Sequence, residues 1–211
     1  MRIAVLLVGL LASAAFDTTA MAKDTAPAEI TATGVQSVDD VFMKAKDIQM
    51  NLTTSKSKLQ KANDDVNSSL GLAKGTPFKD ALADLNKKAD GKVKVAMTGK
   101  TPTLTAQDGC PDNVKASIDV TNKAIGEISS VADDMAALSP QAQALADESA
   151  KLVTDIPSVA KNSGLGITEI PKFTKTVKSD ATIVAQTPAQ AKALAEEAKS
   201  MLDAVMSTFP K

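Results

Sequence analysis

The sequence predicts an all-α protein, an elongated bundle of four to six helices with coiled-coil-like packing and a small β-hairpin inserted into it. Three observations lead there. Small and apolar residues recur at alternating steps of four and three over long stretches, the spacing that lines side chains along one face of a packed helix. Hydroxyl or acidic residues precede these stretches and glycine follows several of them, as expected of helix starts and stops. The period switches to two at one place, where a hairpin is expected.

At the start of the chain, Met1 and Arg2 lead into an apolar run from Ile3 to Ala12, and Ala20-Met21-Ala22 forms a small-x-small signal before Lys23. Residues 1–22 therefore read as a secretory signal peptide, with Ala14 and Ala15 as alternative cut sites. The apolar run is far short of the roughly 20 residues that span a bilayer as a helix. No cysteine lies near the cut, which excludes a lipid-modified bacterial N-terminus. The expected localisation is exported, periplasmic or extracellular. Residues 23–36 read as a flexible N-terminal segment, and 37–211 as a single helical-bundle domain.

The first long helix carries a heptad seam through Val41, Ala45, Ile48, Leu52, Ser55, Leu59, Ala62, Val66 and Ser69. Ser37 is its expected N-cap, with Asp39 and Asp40 in the first turn and Gly71 as its stop. Such a helix is about 50 Å long. Lys44, Lys56 and Lys58 sit off the seam, on solvated or pairing flanks. Thr76-Pro77 then opens a short helix with Phe78, Leu82 and Leu85 on one side, ended by Gly91. "KVKVAMT" and "TPTLTA" alternate apolar and polar residues around Gly99-Lys100, which places a β-hairpin at 92–106 with Pro102 on an edge arm.

A second seam runs through Val114, Ile118, Thr121, Ile125, Ile128, Ala132 and Met135. Its phase then slips by a three-residue step to Leu138, Ala142, Leu145, Ser149, Leu152 and Ile156, beside Ser139-Pro140. A break or sharp kink is expected there, because proline removes a helix hydrogen bond. Ile170, Phe173, Val177 and Val184 mark a further helix, and Leu194, Ala198, Met201, Val205 and Phe209 the last. "TPFKDALADL", "SPQAQALADES" and "TPAQAKALAEEA" repeat one design of a capping hydroxyl, a proline in the first turn and nearby acids. Repeated use of a good helix start explains this echo more simply than duplication.

Composition excludes more than it assigns. Removal of residues 1–22 leaves 23 lysines against 24 acids, with no arginine, histidine, tyrosine or tryptophan. The near-zero net charge and the missing stacking residues argue against nucleic acid. Without histidine, no side chain titrates near neutrality unperturbed, and one cysteine cannot build a zinc centre. The acidic pairs Asp39-Asp40, Asp64-Asp65 and Asp133-Asp134 point about 100° apart on a helix and read as solvated faces. "DLNKKADG" from Asp84 fails the calcium-loop template at Lys88 and Ala89. The sequons at Asn51 and Asn67 are near chance in number. No catalytic residue, cofactor or metal site is expected, and the protein is read as not an enzyme.

The one cysteine, Cys110, precedes Pro111 where a capping hydroxyl would normally stand. Sulfur is a weak acceptor and a poor cap. Cys110 is therefore the one candidate site, expected as an exposed thiol at the hairpin-to-helix junction that reacts or forms an intermolecular disulfide, against the plainer reading of an inert thiol. The function expected is that of a non-catalytic exported protein acting in protein–protein interaction, or as a structural envelope or extracellular component, through a partner protein or self-association along a helical surface. The alternative is a lipid- or membrane-surface-associating bundle, disfavoured by narrow, alanine-diluted apolar faces.

Overall fold

The seam of the first helix becomes buried packing surface along nearly its whole length. The computed structural model describes residues 29–211, so the signal peptide reading and residues 23–28 lie outside the described residues. Helix α1 (Gln36–Ser69) buries every seam position from Val41 to Val66. It begins before Ser37, which corrects the expected cap. Val35 stands at the N-cap in an extended conformation, and its carbonyl already accepts from the Val38 and Asp39 N–H groups at 2.9 Å each. Asp39 instead reaches back, accepting from the Thr33 N–H at 2.6 Å and the Gly34 N–H at 3.0 Å. The C-terminal expectation holds. Gly71, at φ 69, donates to Ser68 O, and the Leu72 N–H donates to Asn67 O at 2.8 Å, closing the helix by the 6→1 and 5→2 bonds that a left-handed residue permits.

Helix α2 (Phe78–Lys88) buries Phe78, Ala81, Leu82 and Leu85, and the turn that follows holds Asp90 and Gly91 at positive φ. The Lys88 ammonium ties this helix to the first: it pairs with Asp84 at 2.9 Å and donates to the Leu70 carbonyl at the C-terminal end of α1.

The hairpin is present as expected, with β1 (Val93–Thr98) antiparallel to β2 (Thr101–Ala106) and Thr98 opposite Thr101 across Gly99-Lys100. Gly99, the first turn residue, has φ 65, the sign a type II′ turn requires there. Neither outer edge is left bare at its centre. The Asn122 side chain of the third helix accepts from the Leu104 N–H at 2.7 Å and donates to the Leu104 carbonyl at 2.9 Å, an amide standing in for a neighbouring strand. On the other side, the Val95 N–H donates to Pro210 O at 2.8 Å. Pro102, two residues from Leu104, is buried, but its backbone nitrogen lies on the edge of β2 away from β1, where the missing N–H costs no bond to β1.

Helix α3 (Asp112–Asn162) runs unbroken for 51 residues, about 76 Å, which corrects the expected break at Ser139-Pro140. The slip of phase is real: Met135, Leu138, Ala142, Leu145, Ser149 and Ile156 are all buried. A continuous helix absorbs it because Pro140 and Pro157 are exposed. Helix α4 (Ile170–Val184) buries Phe173, Val177 and Val184, and α5 (Thr187–Thr208) buries Ala191, Leu194, Ala198 and Val205.

The three hydroxyl-proline echoes occupy three different settings, and none makes a side-chain cap. Thr76 precedes the N-cap Pro77 and donates to Ala73 O, Ser139 lies inside α3, and Thr187 donates to Val184 O at 2.7 Å across the two-residue turn from α4. Helix α3 is the common partner, packed against α1, α4, α5 and β2, while α2 packs mainly on α5. Small residues allow that close approach, with Ala45, Ala62, Ser117, Thr121, Ala124, Ala142, Ser149 and Ala198 all buried.

If α3 passes through Pro140 only because that face is solvated, Pro140→Ala restores a hydrogen bond and removes a ring clash without touching the core. The expected gain is about 1–3 kcal/mol. Denaturant unfolding measures it, and a neutral or destabilising result would show that the chain needs a proline there.

Candidate functional site

Residues 29–35 fold back beside α1 and form a strap. Ile30 and Val35 are buried, so this part of the segment expected to be flexible is packed. The Thr31 N–H donates to Asp180 of α4 at 3.2 Å, and the Thr33 hydroxyl donates to Asp39 of α1 at 2.7 Å. The strap thus bridges two helices and leaves a groove along α1. That groove holds about 350 Å³ and is lined by Ile30 and Met50, with Glu29, Lys46, Gln49, Thr53 and Thr54 supplying its polar side.

Met50 does not stand alone. Met43 lies one heptad earlier, and both are turned nearly opposite the α1 seam, since seven residues at 100° bring the chain round to the same side. They are 55% and 60% exposed, respectively, on a helix whose other face is fully committed to the core. Methionine suits such a surface because its unbranched, polarisable side chain adapts to an irregular partner.

Asp180 is the one carboxylate buried among the described residues, at 2% exposure, and among those residues Thr31 supplies its one hydrogen bond. Burial pushes its pKa above the ordinary aspartate range, the Thr31 N–H opposes that, and the charge on Asp39 adds to it. The acidic pairs separate as helical geometry requires. Asp39 holds the strap while Asp40 accepts from Gln36, and Asp64 pairs with Lys74 while Asp65 pairs with Lys61. Among the described residues no group of three or more Cys, Asp or Glu side chains converges as a metal site, and no helix is long and apolar enough to cross a membrane.

Cys110 is where the structure departs most from the sequence reading. Its thiol is 6% exposed, within the hydrophobic cluster that also holds Val114 and Leu104, so the expected exposed thiol is corrected. In the turn that leaves β2, the Cys110 N–H donates to Gln107 O at 3.0 Å. Its sulfur has only the Pro111 carbonyl as a distant partner at 3.9 Å. Here cysteine behaves as a small hydrophobe. Sequence reasoning singled out the thiol and passed over Met43 and Met50, although their seven-residue spacing on the side away from the seam was legible.

Two outcomes follow from these burials. Native Cys110 should resist alkylation until denaturant is added, and Cys110→Ser should cost about 1–3 kcal/mol because a hydroxyl enters an apolar site without a good partner. Rapid native labelling would show that the junction opens. For Asp180, a raised folded-state pKa means that stability is fully present below the unfolded value and is lost as pH rises through the folded one. Asp180→Asn keeps an acceptor for Thr31 and removes the buried charge. It should therefore raise the melting temperature at neutral pH and give no gain at about pH 3, where aspartate is protonated in both states. A gain of equal size at both pH values would assign the effect to packing.

Comparison with protein-family models, with curated proteins and with solved structures finds no match to this chain, so its site is described by its own geometry alone.

Proposed function

We propose that this is a non-catalytic, exported helical-bundle protein that binds a partner polypeptide on the outer face of α1, along Met43, Met50 and the groove under the strap. The observation that carries the reading is the pairing of two exposed methionines with that apolar-floored groove, on the side of α1 away from its buried seam. A partner helix offering apolar side chains at i and i+7 would match the Met43–Met50 spacing. Lys46, Gln49 and the two threonines would supply a polar rim. Export rests on residues 1–22, and the absence of histidine and arginine from the remaining chain supports a binding rather than a catalytic role.

The packing also narrows how the chain associates. The α1 seam is consumed against the rest of the bundle, so self-association through that seam would require the bundle to open. Partners are better served by the outer face.

A photo-crosslinking side chain at position 50 tests this in the native compartment, with the same probe at exposed Lys94 of the hairpin as control. A discrete adduct is expected from position 50 and not from 94. Met43→Glu should reduce it about tenfold while leaving stability within about 0.5 kcal/mol, since Met43 is a surface position. Identical adducts from both positions, or an adduct indifferent to Met43→Glu, would reject the α1 face as the recognition surface.

A further inference from the structure

The connection between α3 and α4, residues 163–169, carries an apolar side chain with no protein around it. Ile167 is 89% exposed, the most exposed of the large hydrophobic residues, and half-buried Leu165 and Ile170 flank it. The loop is held in shape. The Gly166 N–H donates to the Glu169 carboxylate at 2.8 Å and the Glu169 N–H donates back to the Gly166 carbonyl at 2.8 Å, so the one acid of the loop is engaged by its own backbone.

The charge beside this tip is one-sided. Lys161 lies in the last turn of α3, and Lys172, Lys175 and Lys178 lie on α4, all exposed and without an ion pair among the described residues. At 100° per residue the three α4 lysines fall on the side opposite Phe173, Val177 and Val184. The only acid in α4 is Asp180, which is buried on the core side. The exposed acids of residues 155–180 are Asp155 and Glu169, the latter charged although it accepts from the Gly166 N–H, so two face four exposed lysines. In a chain of formal net charge −1, this end is locally basic.

We propose that the α3–α4 tip docks the closed bundle onto an anionic lipid surface, with Ile167 and Leu165 entering the headgroup boundary and Lys161, Lys172, Lys175 and Lys178 meeting the lipid charge. An apolar residue alone anchors weakly, and so does a basic patch alone; stable attachment combines the two signals, and both are present here within about two helical turns. A bilayer suits the shape better than a folded partner, because Ile167 projects from a turn at 89% exposure. Lysine stems also cover apolar surface while their ammonium groups remain in the headgroup region. The site lies on different elements from the α1 face and does not depend on it.

The chain has no tryptophan or tyrosine, so Ile167→Trp introduces a single clean fluorophore. With vesicles containing about 30% phosphatidylglycerol at low salt, its emission should shift to the blue, and Met97→Trp at the hairpin tip should not shift. Because tryptophan itself favours interfaces, the untagged chain is floated alongside. It should rise with anionic vesicles and stay down with pure phosphatidylcholine, and Ile167→Asp should abolish flotation. Each of Lys172→Gln, Lys175→Gln and Lys178→Gln should weaken binding about fivefold and the triple variant about 100-fold, with the interaction lost as salt screens the surface. Circular dichroism confirms that these surface variants keep the fold. The proposal is overturned by no flotation with anionic vesicles, by equal shifts at positions 97 and 167, by equal binding to neutral vesicles, by a triple variant that binds like the parent, or by a soluble acidic polypeptide occupying the tip where vesicles do not.

Discussion

The structure depends on close packing of small side chains against one very long helix. Helix α3 is the only element long enough to be shared by α1, by the α4–α5 pair and by the hairpin, and the others gain a common core by lying on it. Alanine, serine and threonine at its buried positions contribute little apolar area each, so the helices must approach closely over many turns to offset the entropy of ordering them. Two of their hydroxyls are satisfied within the core, whereas that of buried Ser149 has no partner among the described residues. Thr121 donates to the carbonyl of Ser117 in its own helix, and Ser117 donates to the Ser69 carbonyl at the end of α1. The second bond also fixes register, since it joins the start of α3 to the end of α1 and makes the two helices antiparallel.

The ends of the bundle are closed by polar bonds of long sequence separation. Lys88 secures the C-terminus of α1 from α2, Asn122 substitutes for a strand beside β2, and the tail at Pro210 covers β1. An isolated two-stranded hairpin is marginal in water, and here each strand gains a partner that is not a strand. Asp180 does similar work for the strap but at higher electrostatic cost, because a buried carboxylate with one donor is held against its own desolvation. A stabilising contact and a titratable strain therefore coincide at the junction of strap, α1 and α4.

Periodicity made the seams legible because burial on a helix repeats with the same angle as the sequence pattern. Val41 to Val66 and Val114 to Met135 could be read for that reason, and the three-residue slip at Met135 to Leu138 was read correctly as a change of phase. Its interpretation as a break was not, since α3 continues through Pro140, whose ring stands at an exposed position, and exposure is known only once the packing is. The same limit applies to Cys110. Its place at the hairpin-to-helix junction suggested exposure, but the residue packs into the core, which the local sequence alone does not reveal. Ser37 failed as a cap because Val35 had already begun the helix, stabilised by Asp39 from within. Met43, Met50 and Ile167 were open to reading as apolar residues out of phase with every seam, a signal visible only after the seams are assigned.

Those out-of-phase residues are the surface's few departures from a polar coat, and their placement separates two kinds of contact. Met50 borders a groove and Met43 lies one heptad from it on the same side of α1, so they suit a side chain or helix that is itself shaped; Ile167 projects from a turn, so it suits a medium that deforms around it. Both patches are small. Interfaces of limited area are typically transient, and their energy is concentrated in a few anchors. A bundle that buries its seams internally therefore retains its fold whether or not either patch is occupied, and the two contacts can form without competing for the core. That independence follows from α3, which takes up the apolar faces of its neighbours and leaves these side chains, with Met97 at the hairpin tip, as the large apolar residues exposed among the described residues.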